Sequence, residues 1–370
     1  MLKVLFVLGT RPEVIKFAPV IRHMQEDDFF LPIVCFTGQH KEMLYQTADF
    51  FRIKPDYSLE LMTPNQTLVG FLTKSLGALD EVIKLELPDL VFVQGDTSTV
   101  LAGSLAAFYN KTKLAHLEAG LRSFDKFSPF PEEINRVLCS RIADYHFAPT
   151  PLAAKHLEAE GIQSQIYMVG NTVIDALFLC LNIIRQSGDV LYKAFFKDID
   201  FSKKIILITC HRRENFGDPL LNIVEAIRSF AELNHDIQLV FPVHLNPKIK
   251  EVVYKKLGDL SNVFLLSPLD YPHLVWIMNQ ADFVVTDSGG IQEEASALGK
   301  YVIVMREVTE RIESVEAGTA VLVGSDKVKI LQNMIKLATT HPDNHRLSGH
   351  SPYGNGRSAE AILEILKNLN

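Results

Sequence analysis

Three carboxylates stand where a chain of strands and helices would place chemistry: Asp96 in "QGDTSTV", Glu118 in "HLEAGLRS" and Glu132 in "PFPEEINR". Asp96 has another available task, as N-cap of a helix beginning near Thr97, and Glu132 lies in a first helical turn, where negative charge offsets the helix dipole. Glu118 has no such local task. The cations cluster elsewhere. "ITCHRRENFGD" puts His211, Arg212 and Arg213 just after a buried run, and "MREVTERIE" carries Arg306, Glu310 and Arg311, which alone also reads as a solvated charge run. "LGTRPEVIK" joins Arg11 and Lys16 to a glycine turn and a helix opening at Pro12, whose backbone N–H groups form a candidate anion site. In "VVTDSGGIQEEASALG" a strand ends at Asp287 and Ser288, Gly289 and Gly290 let a ligand approach the backbone. A helix from Ile291 then aims its positive end at that spot, which suits a diphosphate. Glu294, one turn inside, would accept ribose hydroxyls, although Glu293 and Glu294 also fit a first-turn dipole role. Acids that move a proton and cations that hold a diphosphate fit a sugar whose leaving group is that diphosphate.

Such residues need strand ends to present them. β-branched runs alternate with longer amphipathic stretches along the whole chain, the pattern of parallel βαβ units with helices on both faces. The strand candidates are "KVLFVLG", "PIVCFTG", "DLVFVQGD", "KLAHLEAG" and "YHFAPT", then "QIYMVGN" as a return to the sheet edge. "KIILITCH", "IQLVFPVH", "NVFLLSP", "DFVVTDSGG", "YVIVMRE" and "AVLVGS" follow. Nearly all are continuous apolar runs, as expected of strands buried on both faces. The expected fold is therefore α/β, two doubly wound Rossmann-like domains facing across a cleft. The rhythm restarts near "YMVGNTVID", which sets the expected domains at 1–168 and 169–355, with the amphipathic helix 356–370 packing back on the first.

Composition narrows the setting. At 370 residues and 47% hydrophobic content, the chain exceeds one ordinary core. A formal net charge of −7 leaves no basic footprint for nucleic acid. Cys35, Cys139, Cys180 and Cys210 are widely spaced in apolar segments, without a CxxC, and read as reduced core thiols. The amino terminus has about seven apolar residues before charge, too few for a membrane span. A cytoplasmic enzyme or binding protein is expected, with no membrane partner. His341 and His345 in "HPDNH" sit in a turn with no third ligand, so no metal is expected.

"GTRPEVIK", "TGQHKEML", "QGDTST", "HLEAGLRS", "PEEINR", "HFAPT", "GNTVID", "HRREN", "PVHLNP", "TDSGGIQEEA", "TERIE" and "PYGNG" occur in one order along essentially the whole chain. In that order the chain resembles the bacterial non-hydrolysing UDP-N-acetylglucosamine 2-epimerases. The resemblance implies a GT-B-like architecture, a homodimer, no cofactor, and inversion at C2 of UDP-GlcNAc to give UDP-ManNAc for surface polysaccharide precursors. Position by position it implies that Arg11, His211, Ser288, Gly289, Gly290, Glu294 and Arg311 hold UDP. It sets Asp96, Glu118 and Glu132 around the sugar, with Lys16 and Arg136 nearby. It further implies an activator site for a second UDP-GlcNAc, at Gln39, Gln66, Glu133, Arg212 and His244. The chain departs from the family pattern at Ile312, where proline is usual, and at Asn65, where an arginine can occur.

The C2 proton of such a sugar is not alpha to a carbonyl, and no clean GxGxxG is present for a nicotinamide route. Elimination of UDP to 2-acetamidoglucal, followed by re-addition, avoids both difficulties. Two further readings stay open, a GT-B glycosyltransferase and a nucleotide-sugar sensor, and the sugar could be a 2,3-diacetamido uronic acid relative. Which acid removes the C2 proton and which returns it is not decided by the sequence.

Overall fold

Apolar runs with no polar face form strands only where both faces are covered, and helices provide that cover here. The computed structural model describes residues 1–38, 41–63, 66–162, 165–212, 215–339 and 351–369. It divides into two compact units, Met1–Leu179 with Tyr353–Asn370, and Cys180–Pro352. The division falls inside the helix Thr172–Ser187, later than the 168/169 boundary expected from the rhythm of the strands.

In the first unit β1 (Leu2–Leu8), β2 (Phe30–Phe36), β3 (Tyr57–Ser58), β4 (Leu90–Gln94), β5 (Lys113–Leu117), β6 (Tyr145–Ala148) and β7 (Ile166–Met168) form one sheet. Its order is β3-β2-β1-β4-β5-β6-β7, with parallel pairing throughout. The second unit holds β8 (Lys204–Thr209), β9 (Ile237–Pro242), β10 (Val263–Leu266), β11 (Phe283–Thr286), β12 (Tyr301–Val304) and β13 (Ala320–Leu322). They run in the order β10-β9-β8-β11-β12-β13, also parallel. Each unit is thus the doubly wound parallel α/β sheet that the sequence leads one to expect.

Both sheets reverse direction once, between β1 and β4 and between β8 and β11. At such a switch point the connections after the two central strands leave to opposite faces, and a crevice opens beyond their carboxyl ends. The polar residues of interest lie just past these four strands and β5. Apolar packing fixes the strands beneath them. Phe6, Phe17 and Phe92 meet with ring centroids 5.0 to 5.5 Å apart in the first unit. Ile206, Ile208, Ile227, Phe230 and Phe241 share the core of the second. The four cysteines are buried and unpaired.

The last helix, Ser358–Asn368, belongs to the first unit and packs against the helix Arg11–Gln25. Ala359, Ile362, Leu363 and Leu366 are buried along it. Its first turn is capped from a distance, since Ala359 N donates to Asp175 Oδ1 at 2.8 Å. Lys367 closes the far end on Asp27 at 2.5 Å.

Candidate active site

Glu118 follows β5 directly with φ of +64°, in the left-handed region where a non-glycine residue is strained. From there its carboxylate reaches the helix after β1 and the end of β4. Oε1 accepts from Lys16 Nζ at 2.5 Å and from Asn171 Nδ2 at 3.1 Å, and Oε2 accepts from Gln94 Nε2 at 2.6 Å. The absence of a local task, read from the sequence, is matched by this long-range one.

Asp96 is not the N-cap of the following helix. That helix is Ser98–Tyr109, and Thr97 caps it by accepting from Val100 N. The Asp96 carboxylate is instead paired with Arg136, whose Nη2 lies 2.7 Å and Nε 2.8 Å from Oδ2. Glu132 opens the helix Glu132–Ile142, as expected, and its Oε2 is buried with no hydrogen-bond partner among the described residues. Its neighbour Glu133 is committed to the preceding loop, accepting from Ser123 N and Phe124 N at 3.0 Å each and from Arg136 Nη1 at 3.1 Å.

The turn after β1 departs from the anion site that its sequence suggests. Glu13 reaches back over the helix start and accepts from Gly9 N at 2.5 Å and Thr10 N at 2.8 Å, so two of those backbone donors are filled from within. Its other oxygen accepts from Thr97 Oγ1 at 2.6 Å, tying the two switch-point loops together. Complete burial drives the Glu13 carboxyl up to about 7, against these hydrogen bonds. Gly9 has no alternative, because a Cβ there would fall 2.2 Å from Thr99 Oγ1. Arg11 makes no ion pair among the described residues and stays available.

In the second unit Ser288 is the N-cap of the helix Gly289–Ala297. The helix begins two residues earlier than expected, so Glu293 and Glu294 lie beyond the first turn and the dipole role falls away. Glu293 pairs with Arg311 Nε at 2.7 Å, and Glu294 accepts from Tyr271 Oη at 2.8 Å. Arg311 lies over the helix start, where a Cβ on Gly289 would come 3.2 Å from its Cζ. The segment around it is no solvated charge run. Arg306 is buried and pairs with Glu310 at 2.8 Å, and Arg311 Nη1 is 3.7 Å from the same carboxylate. Burial raises the Glu310 carboxyl, but the two guanidinium groups prevail and bring it down to about 2.

His211 follows β8 by two residues and presents a ring 41% exposed, with Nδ1 3.2 Å from Asp287 Oδ1. The His244 ring stacks at 6.3 Å from it. Burial first, then the charge of His211, lowers the His244 pKa. The Nε of Arg212 and the Nε2 of Gln66 are each buried without a partner among the described residues. Gln39, Asn65, Arg213, His341 and His345 lie outside the described residues.

Sequence reasoning passed over Glu13, Gln94, Asn171, Tyr271 and Asp287. Thr10 and Glu13 had a legible signal, the T-x-x-E spacing of a capping box. The others act on partners far along the chain.

The UDP-N-acetylglucosamine 2-epimerase family model matches residues 22–367. The chain is 46% identical over 371 residues to the UDP-N-acetylglucosamine 2-epimerase of Escherichia coli (strain K12), with 99% of each covered. Among solved structures, it superposes on the Neisseria meningitidis UDP-GlcNAc 2-epimerase bound to UDP-GlcNAc with a TM-score of 0.93 at 42% identity, covering 99% of this chain and 100% of that one. The Methanocaldococcus jannaschii enzyme in complex with UDP-GlcNAc and UDP gives a TM-score of 0.84 at 36% identity, with 99% and 100% covered. With a family model spanning most of its length and full-length relatives well above 30% identity, the chain belongs to the UDP-N-acetylglucosamine 2-epimerase family.

Proposed function

We propose that this protein is an isomerase that interconverts UDP-GlcNAc and UDP-ManNAc, by eliminating UDP and adding it back. The anomeric C–O bond breaks with its electron pair leaving on UDP, and a carboxylate takes the C2 proton, which forms the C1–C2 double bond of 2-acetamidoglucal. Return of a proton to the opposite face of C2 and re-formation of the C–O bond give the epimer. The names of the full-length relatives support the substrate. The Glu118 clamp is the observation that carries the chemistry: a strained carboxylate at the carboxyl end of β5, aimed by Lys16, Gln94 and Asn171.

In this reading Asp96, Glu118 and Glu132 work on the sugar, while Lys16 and Arg136 hold the first two acids. The unpartnered Oε2 of Glu132 is suited to a proton or a sugar hydroxyl, since a buried acceptor left unpaired costs about 1–3 kcal/mol. Arg11, His211, Arg311, Glu294 and the 288–290 turn hold UDP. A second UDP-GlcNAc bound as activator is part of the same reading, and of its expected contacts Glu133 serves the loop before its helix.

The test is turnover of UDP-GlcNAc in D₂O, with no acceptor and no added nicotinamide, followed by proton NMR. Deuterium is expected at C2 of both epimers. Retention of the C2 proton, or turnover only when an acceptor or NAD is supplied, would overturn the elimination route. Running UDP-2,3-diacetamido uronic acids beside UDP-GlcNAc tells the two substrate classes apart.

A further inference from the structure

Asp287 follows β11 and is fully buried, and its carboxylate is ringed by donors from the segment after β8. Oδ2 accepts from the backbone N–H of His211 and of Arg212 and from Asn215 Nδ2, each at 2.9 Å. Oδ1 faces His211 Nδ1 at 3.2 Å. Burial alone would raise the Asp287 carboxyl, but the His211 ring and these N–H groups outweigh it and hold it below the usual range. An ionised carboxylate only accepts, so the ring nitrogen that meets it must carry hydrogen.

We propose that Asp287 is a positioning residue for His211, fixing the Nδ1–H tautomer inward and leaving Nε2 as the working nitrogen. This rests on the proposed reaction, in which negative charge grows on the phosphate oxygen that leaves C1. When Nε2 carries a proton toward that oxygen, the ring is positive and the Asp287 carboxylate lies against the charge. The arrangement follows the logic of other carboxylate–histidine pairs, in which a buried acid sets both tautomer and orientation. Ser288, the next residue, caps the helix proposed to hold the diphosphate, so one short segment serves both tasks.

A merely structural Asp287 would tie down His211, Arg212 and Asn215 through the bonds on Oδ2 and leave the tautomer indifferent. Two-bond proton–nitrogen correlation NMR on ligand-free protein labelled at histidine decides between them. The neutral His211 ring is expected to carry its hydrogen on Nδ1. In Asp287→Asn the amide oxygen is drawn to the three donors now on Oδ2, which turns its NH₂ to the ring, and His211 should switch to the Nε2–H tautomer. Turnover of Asp287→Asn should fall by at least ~10²-fold, yet the same change made in His211→Gln should cost little more, because the two act as one unit. An Nε2–H tautomer in the wild type, or penalties that simply multiply, overturns the proposal even if the variant folds poorly. Should the wild type show the Nδ1–H tautomer but no epimerase turnover, the reaction assignment is the part that fails, and the cycle is read on UDP affinity.

Discussion

Glu118 shows how far single residues can be read. A carboxylate at a strand end with no capping task is visible in "HLEAG", but its donors Lys16, Gln94 and Asn171 stand 102, 24 and 53 positions away, and only the fold brings them in. Nor does the sequence announce its left-handed backbone, since nothing about a glutamate favours positive φ. Glu118→Gln is a clean probe because its amide can keep all three contacts. Its oxygen takes Lys16 and Asn171, and its NH₂ faces Gln94, whose own amide turns over to accept. The variant should fold like the wild type and keep its UDP affinity by calorimetry, while turnover falls by at least ~10²-fold, the scale of a lost acid or base. Loss of UDP affinity as large as the loss of turnover would move Glu118 from the sugar to the nucleotide.

At the level of elements, the strand pattern was legible because parallel strands buried on both faces read as unbroken apolar runs. β3 was missed for the converse reason: its two residues, Tyr57 and Ser58, pair only with the end of β2 and carry no apolar run. The helix starts were less legible. The 11–25 helix opens with Pro12 as expected, yet its N-terminal donors are filled by Glu13, a residue that the charge pattern alone gives no reason to bury. That burial has a pH signature. With a carboxyl pKa near 7 when folded against the ordinary 4.5, the folded state binds more protons between the two. The contribution of protonated Glu13 is fully present below about pH 4.5 and is lost as pH rises through about 7, on the order of 3 kcal/mol. Glu13→Gln places an amide that can still accept from Gly9 and Thr10 and donate to Thr97 Oγ1. Urea unfolding from pH 4.5 to 8 should show this decline in the wild type and a flatter profile in the variant. Parallel profiles would mean that Glu13 stays ionised throughout.

Over the whole molecule, the first unit is discontinuous in sequence, closed by a helix from the far end of the chain. The tail's turn chemistry and amphipathic spacing were readable, and Ala359, Ile362 and Leu366 are buried as that spacing requires. Leu363 is buried with them. The partner helix and the cap from Asp175 were not readable, because neither leaves a local pattern. Each fully buried apolar side chain contributes about 1.5–3 kcal/mol, so ending the chain before Tyr353 should destabilise the first unit by several kcal/mol. Hydrogen exchange should locate the loss in the sheet of β1 to β7, and equal protection with and without the tail would show that the helix is dispensable. The same discontinuity bears on how the protein is made. The segments that form the first sheet leave the ribosome early, but their closing helix is translated only after the entire second unit, roughly 10 to 35 seconds later at ordinary elongation rates. Through that interval the part of the 11–25 helix that meets the last helix is uncovered in the nascent chain. A chain that stopped before Tyr353 would therefore carry every proposed site residue on an unfinished first unit.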